Sequence, residues 1–177
     1  MNVKVITPPA EEPISLERAQ KGLRTDEDIS NLIVAAREYC ESYQNKRYIT
    51  QTLAVNLDCF PAEKEIEFRD CSPVQSVSSI KYYGADDEEH TLPDTDYIVD
   101  INSFISRIVL KDNKEWPGVT LRPVNGVAIQ FVAGYGDAAA VPETVKQAMI
   151  LHMQLLFDSL TPEAARQIER ARDALLR

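Results

Sequence analysis

The residues best equipped for chemistry in this chain are a glycine pair, an acidic run, two histidines, three cysteines and a serine-rich stretch. Gly134-Tyr135-Gly136 stands shortly before Pro142, where a helical pattern begins. Glycines ahead of a helix N-terminus are the raw material of a phosphate cradle. Neither GxGxxG nor GxxxxGK[ST] occurs, and about five residues separate the glycines from the helix start, so a turn is the better reading. Asp86, Asp87, Glu88 and Glu89 offer carboxylates to a cation, but without the alternating spacing and glycine of an EF-hand loop; they read as a solvated hairpin tip. Asp94, Asp96 and Asp100 flank a strand as turn and cap residues. His90 sits at the acidic tip and His152 on a C-terminal helix. No HExxH occurs, and two lone histidines in different elements seldom build a metal site. The serines between Ser72 and Ser79 alternate with valine and lack GxSxG, which suits an exposed strand face. Cys40, Cys59 and Cys71 have no CxxC spacing and are expected as free buried thiols. Trp116, before Pro117-Gly118, reads as a core or interface anchor. No catalytic, cofactor or metal constellation emerges.

The elements that carry these residues divide into helical ends and a β middle. Residues 1–13, with Pro8, Pro9, Pro13 and Glu11-Glu12, read as an extended arm. Ser15 is a plausible N-cap for a short helix reaching about Leu23, with Leu16, Ala19 and Leu23 on one face. The acids of Thr25-Asp26-Glu27-Asp28 suit the start of a second helix. Its spacing turns Ile29, Leu32, Ile33, Ala36, Cys40 and Tyr43 inward and Asn31, Arg37, Glu38 and Glu41 outward, ending near Gln44-Asn45. From about Tyr48 the period becomes two. Seven short strands are predicted: Ile49–Leu57, around Ile66 and Phe68, Val74–Tyr82 with a bulge, Thr91-Leu92, Tyr97–Val99, Arg107–Leu110 and Val127–Ala133. Gly134 and Gly136 can take positive φ on either side of Tyr135. Pro142 then fits the first turn of a helix, where a missing N–H costs nothing. This strand-to-helix joint returns the chain to helix, with Val145, Ala148, Met149, Leu151, His152, Leu155 and Leu156 as a wide apolar face.

Thr161-Pro162-Glu163 restarts a terminal helix. Its narrow stripe of Leu160, Ala164, Ile168, Ala171 and Leu175 is flanked by Arg166, Arg170, Arg172 and Arg177 against Glu163, Glu169 and Asp173. Such a stripe suits pairing with another helix, of its own domain or of a partner. The expected fold class is α+β: N- and C-terminal helices forming a helical core, with an inserted antiparallel β sandwich or barrel-like domain. The expected boundaries are residues 1–47, 48–136 and 137–177.

Length allows one large domain or a domain with an insertion. There is no run of about 18 apolar residues, so no transmembrane helix is expected. The N-terminus lacks the apolar core of a secretory signal, which suggests work in a cytoplasm or in something assembled there. The net charge of −9 is concentrated in residues 61–105, where three bases face eleven acids. That surface repels nucleic-acid phosphates and argues against specific DNA binding.

Three stretches, taken in order, carry a family resemblance. The first is Pro13-Ile-Ser-Leu-Glu-Arg-Ala-Gln-Lys-Gly-Leu-Arg24 with Ile29-Ser-Asn-Leu-Ile-Val-Ala-Ala-Arg-Glu-Tyr-Cys-Glu41. The second is Lys46-Arg-Tyr-Ile-Thr-Gln-Thr52 with Leu57-Asp-Cys-Phe-Pro61 and Pro73-Val-Gln-Ser-Val-Ser-Ser-Ile-Lys-Tyr82. The third is Val132-Ala-Gly-Tyr-Gly136 with Val141-Pro-Glu-Thr-Val-Lys-Gln-Ala-Met149. Together they span roughly residues 13–157 and resemble the head–tail connector (adaptor) proteins of long-tailed bacteriophages, in the larger variant with a β domain between the helices. Gln44-Asn45-Lys46-Arg47 departs from the Thr-Gly-Arg often found there, which alters only the helix exit.

The resemblance implies a structural, non-enzymatic virion protein at the head–tail junction, assembled in the host cytoplasm. Copies would form a ring beneath the portal, commonly twelvefold, extending the DNA channel and offering a surface to the stopper or tail-terminator protein. DNA would pass without specific binding, and no membrane or cofactor is implied. The acidic middle would line the channel or form an outer collar. Residues 158–177 lie outside the resemblance. Given the resemblance, the narrow stripe and its place after a complete domain make Leu160–Arg177 the expected portal-docking segment, with Ile168, Leu175 and Leu176 as apolar anchors and Arg166 and Arg170 fixing register. Other compatible readings are a stopper or tail-completion protein, or a ligand-binding or enzymatic β-barrel module.

Overall fold

The structure, a computed structural model, describes residues 2–177. Among them, packing separates two compact units. One holds the chain up to Pro8 together with Thr50–Gly134; the other holds Pro9–Ile49 and Tyr135–Arg177. The chain therefore crosses between units at Pro8–Pro9, Ile49–Thr50 and Gly134–Tyr135.

The first unit is built of antiparallel strands. Among the described residues, the larger sheet joins β1 (Asn2–Thr7), β2 (Gln51–Leu57), β8 (Val127–Ala133), β4 (Val74–Tyr83) and β5 (Glu89–Thr91) in that spatial order. A smaller sheet orders β3 (Glu65–Glu67), β7 (Arg107–Leu110) and β6 (Tyr97–Asp100). Alternation sets the faces: Val127, Ile129, Phe131 and Ala133 of β8 are all buried, as their period of two predicts. Leu53 and Val55 of β2, Ile80 of β4, Ile66 and Phe68 at β3, and Ile108 and Leu110 of β7 complete one apolar core. Phe68 and Phe131 meet within it at a centroid separation of 4.6 Å. The register of β4 against β8 shifts twice, between Val74 and Ser76 and between Val77 and Ser79, which is the predicted bulge made double.

β1 differs from expectation. Of the segment read as an extended arm, Asn2–Thr7 pairs with β2 from Asn2↔Asn56 to Thr7↔Thr52, so these residues belong to the β unit, while Pro9 onward belongs to the helical one. The strand stops before Pro8 and Pro9, which cannot donate to a ladder.

The second unit packs α1 (Leu16–Leu23), α2 (Ser30–Gln44), α3 (Glu143–Phe157) and α4 (Pro162–Leu175) around Ala19, Leu23, Ile33, Ala36, Cys40, Val145, Ala148, Met149 and Met153. Ser15 caps α1 as its position suggests, its hydroxyl accepting from the Arg18 N–H. α2 exits through Asn45 in the left-handed region, its N–H returning to the Glu41 and Ser42 carbonyls. Asp28 stands just outside α2 and accepts from the Ser30 N–H and hydroxyl. Two predicted faces differ. Arg37 and Glu41, expected outward, are buried, whereas Tyr43, expected inward, is exposed. On α3, Leu156 is exposed and Lys146 is buried.

Candidate functional site

Within the helical unit, the buried charges of α2 form a connected lock. Arg37 Nε donates to Glu12 Oε2 at 2.8 Å and Arg37 Nη1 to Glu41 Oε2 at 3.2 Å. The other Glu41 oxygen accepts the Tyr48 backbone N–H at 2.8 Å, and Arg47 approaches Glu41 at 3.8 Å. Burial raises the Glu41 pKa, against the opposing pull of the Tyr48 N–H, Arg37 and Arg47. Burial also opposes the charge of Arg37, yet pairing with Glu12 and Glu41 outweighs it and raises the Arg37 pKa. Cys40, on the same helix, has its thiol pushed up to about 12 by burial and is chemically inert there. Opposite charges four apart on α2 were the available signal for this lock; the third member, Glu12, comes from a segment with no pattern pointing to it.

A second polar cluster ties α4 down. Arg172 Nη1 lies 2.9 Å from His152 Nδ1 on α3, and the Arg172 guanidinium stacks on the Tyr39 ring of α2 at 4.5 Å. Tyr39 and His152 stack in turn at 3.9 Å, while Asp173 binds Arg172 at 2.7 Å. Burial and the nearby Arg172 lower the His152 pKa, so the imidazole is neutral with Nδ1 as acceptor.

These contacts decide how the C-terminal segment is used. Thr161 caps α4 by accepting from the Ala164 N–H, and Pro162 occupies its first turn. Leu176 is only 4% exposed and belongs to the helical core, Leu175 packs beside it, and the Leu176 carbonyl accepts from Gln44 Nε2. The two leucines expected as free anchors are thus spent inside their own unit, because Arg172 and Gln44 draw the end of α4 back. Ile168 is half-buried. Arg166 and Arg170 stay exposed, and with Glu163 and Gln167 they line a shallow polar groove.

Between Gly134 and Pro142 the backbone N–H groups of Tyr135, Ala138 and Ala140 are already engaged. Gly134 and Gly136 have φ of 129° and 142°, which excludes ordinary side chains, and the Tyr135 N–H donates to the Tyr48 carbonyl. Tyr135 is half-buried, and its hydroxyl accepts from Lys46 Nζ. The Ala138 N–H is taken by Glu11 and the Ala140 N–H by Asp137. Pro142 is the N-cap and not the first helical residue. Beside it, Glu143 is held down to about 2 by hydrogen bonds from Arg18 and Lys146.

In the β unit the acids disperse. Glu89 pairs with Lys81 and Tyr83, Asp87 with Arg122, and Asp86 accepts from the Glu88 N–H. Among the described residues, no group of three or more His, Cys, Asp or Glu could hold a metal, and no helix is long and apolar enough to cross a membrane. Cys59 is exposed, contrary to expectation, while Cys40 and Cys71 are buried. Trp116 donates to the Glu63 carbonyl and stacks on Phe60 at 5.0 Å. Beside this stack lies a groove of about 490 Å³ along Cys59, Phe60, Pro117, Val119, Leu121 and Pro123. Phe104, on the loop joining β6 to β7, is 99% exposed. Sequence reasoning passed it over, although residues 101–106 are uncharged within the most acidic part of the chain.

No protein-family model matches the sequence, and neither does any curated protein. The fold does have solved counterparts. One is a chain in the neck of a native gene transfer agent (GTA) particle computed with C12 symmetry, at 19% identity and a TM-score of 0.75, covering 97% of this chain and 95% of that one. Chains in the virion of a native GTA particle and in the neck of an empty GTA particle computed with C6 symmetry are similar at 19% identity, TM-score 0.74 and the same coverage.

Proposed function

We propose that this chain is a structural head–tail connector of a phage-like particle, an adaptor whose copies form a ring beneath the portal. The observation that carries this reading is the likeness of fold across both units, over 97% of this chain, to a chain of a particle neck computed with C12 symmetry. A chain of that fold placed at the neck would sit in the virion, at the head–tail junction. The ring, twelvefold where it follows that symmetry, would extend the DNA channel and offer its far face to a stopper or tail-terminator protein. Charge supports passage without capture: residues 61–105 carry a net −8, so duplex phosphates meet repulsion and not a binding track.

The portal-facing surface is assigned to the outer side of α4. Arg166 and Arg170, with Glu163 and Gln167, line a shallow mixed-charge groove on a helix already anchored by Arg172 and Leu176. Charges presented on an anchored helix fix register at little entropic cost. Removing α4 would strip Leu176 from the core and confuse docking with folding, so charge reversal is the cleaner test. An Arg166→Glu/Arg170→Glu variant is expected to fold normally and to fail to attach to portal-bearing heads. Undiminished attachment would refute this docking surface.

A further inference from the structure

We propose that the β6–β7 loop is a knob that seats in the Cys59–Phe60 groove of a second copy of this chain, joining copies head to tail. The inference rests on the ring reading above and names a contact that would build the ring.

The knob is presented, not frayed. Asp100 accepts from the Asn102 N–H, from the Ser103 N–H and hydroxyl, and from Arg107 Nε, at 2.6 to 3.2 Å. That network ties Asn102 and Ser103 to the two ends of the loop; Phe104, the next residue, stands fully in water, and Ile98 and Ile101, close in sequence, are exposed too. An aromatic ring carried next to a hydrogen-bonded turn has part of the backbone ordering cost of docking already met.

The groove is a matching receptor. Its walls of Phe60, Pro117, Val119, Leu121 and Pro123 are apolar, and at about 490 Å³ it has room for an aromatic side chain. Its two charged lining groups are already engaged. Asp58 accepts from the Asn125 N–H, and Arg122 donates to the Asn125 carbonyl and pairs with Asp87.

Geometry and charge point to a second copy as the occupant. Knob and groove lie at opposite ends of one ladder. Glu67 pairs with Arg107 at the knob end of β3–β7, whereas at the other end the Lys64 carbonyl accepts from Leu110 and Glu63 accepts from Trp116, which stacks on Phe60. A copy that inserts its knob keeps its own groove open for the next, which is a heterologous contact able to close as a ring. Residues 101–106 carry no charge, and the two charges lining the groove, Asp58 and Arg122, cancel, in a chain of net charge −9. The two patches therefore meet where like-charge repulsion between copies is least. One phenylalanine buries about 150–250 Å², less than the roughly 1,000 Å² of a stable interface. Phe104 is thus the anchor of a wider contact.

Cys59 makes the test direct, since it is an exposed thiol in the receptor groove while Cys40 and Cys71 are buried. Particles carrying Asn102→Cys, which keeps Phe104 and the backbone N–H bond to Asp100, are oxidised with copper phenanthroline and run on non-reducing gels. A ladder of dimers and higher multimers is expected, with peptide mapping joining position 102 to Cys59 of the neighbour, and it should vanish in Asn102→Cys/Cys59→Ser. A neck ring seen by electron microscopy without this crosslink, or with position 102 joined to a different protein, overturns the inference and leaves the ring reading standing. Particles with no ring of this chain overturn both. Phe104→Ala should leave the thermal melt unchanged and weaken association between copies at least tenfold; unchanged association also overturns the inference.

Discussion

Arg172 on α4 donates to Nδ1 of His152 on α3 across 2.9 Å, a contact that makes the C-terminal helix part of the helical core. His152 can accept that bond only while neutral. Burial and the adjacent guanidinium both hold its pKa below the ordinary value. Protonation of His152 therefore acts against the fold, and α4 is the element it would release.

The sign follows by linkage. A histidine whose native pKa is lowered binds fewer protons folded than unfolded, so its contribution is complete above the unfolded value of about 6.5 and declines as pH falls below it. Thermal melts of the wild type are expected to lose stability on acidification from about pH 6.5 downward through the lowered native pKa. His152→Gln should be less stable at neutral pH but show a shallower acid slope in that window. Equal slopes for the two proteins would remove His152 as the cause.

The Glu12–Arg37–Glu41 lock yields a second expectation. Glu41→Gln keeps an acceptor for the Tyr48 N–H but leaves Arg37 and Arg47 short of their buried counter-charge. Arg37 keeps its bond to Glu12 and burial already disfavours the Glu41 charge, so Glu41→Gln is expected to cost about 1–3 kcal/mol, the range for weakening a buried polar contact. Glu38→Gln, on the exposed side of the same helix, is expected to stay within about 0.5 kcal/mol of wild type. Urea unfolding of both variants checks the contrast.

Gly126 offers a third. A Cβ there would lie 2.5 Å from the Asp58 carbonyl oxygen and 3.1 Å from that of Arg122, both backbone atoms that cannot swing aside. Gly126→Ala is expected to cost about 1–3 kcal/mol by overpacking. Gly118, with nothing within 4 Å of its added Cβ, should tolerate alanine. Paired denaturant midpoints measure the difference.

The legibility of this chain depends on how local each cause is. The β8 face, the Ser15 cap, the Asn45 exit and the Thr161 cap all follow from neighbours a few residues away, and each is found where its pattern put it. β1 was hidden because its ladder partner lies about fifty residues on, at Thr52–Asn56, and because the following prolines made the segment look like an arm. Arg37 and Glu41 face inward because each finds a second partner away from its own helical turn, Glu12 for Arg37 and Arg47 for Glu41, so that the cluster balances, and helical periodicity cannot express that. The end of α4 misled in the same way: its stripe reads equally as a partner's surface or its own domain's. The choice was made by Gln44 and His152, on two other helices.

The central claim, a ring of this chain at a particle neck, is tested most directly by electron microscopy of particles carrying a tagged copy. The account predicts the tag at one vertex per particle, in a ring between head and tail, with symmetry averaging resolving both units in every copy. Tag density spread over the capsid, placed along the tail, or absent from purified particles that remain infectious or transfer-competent would contradict it.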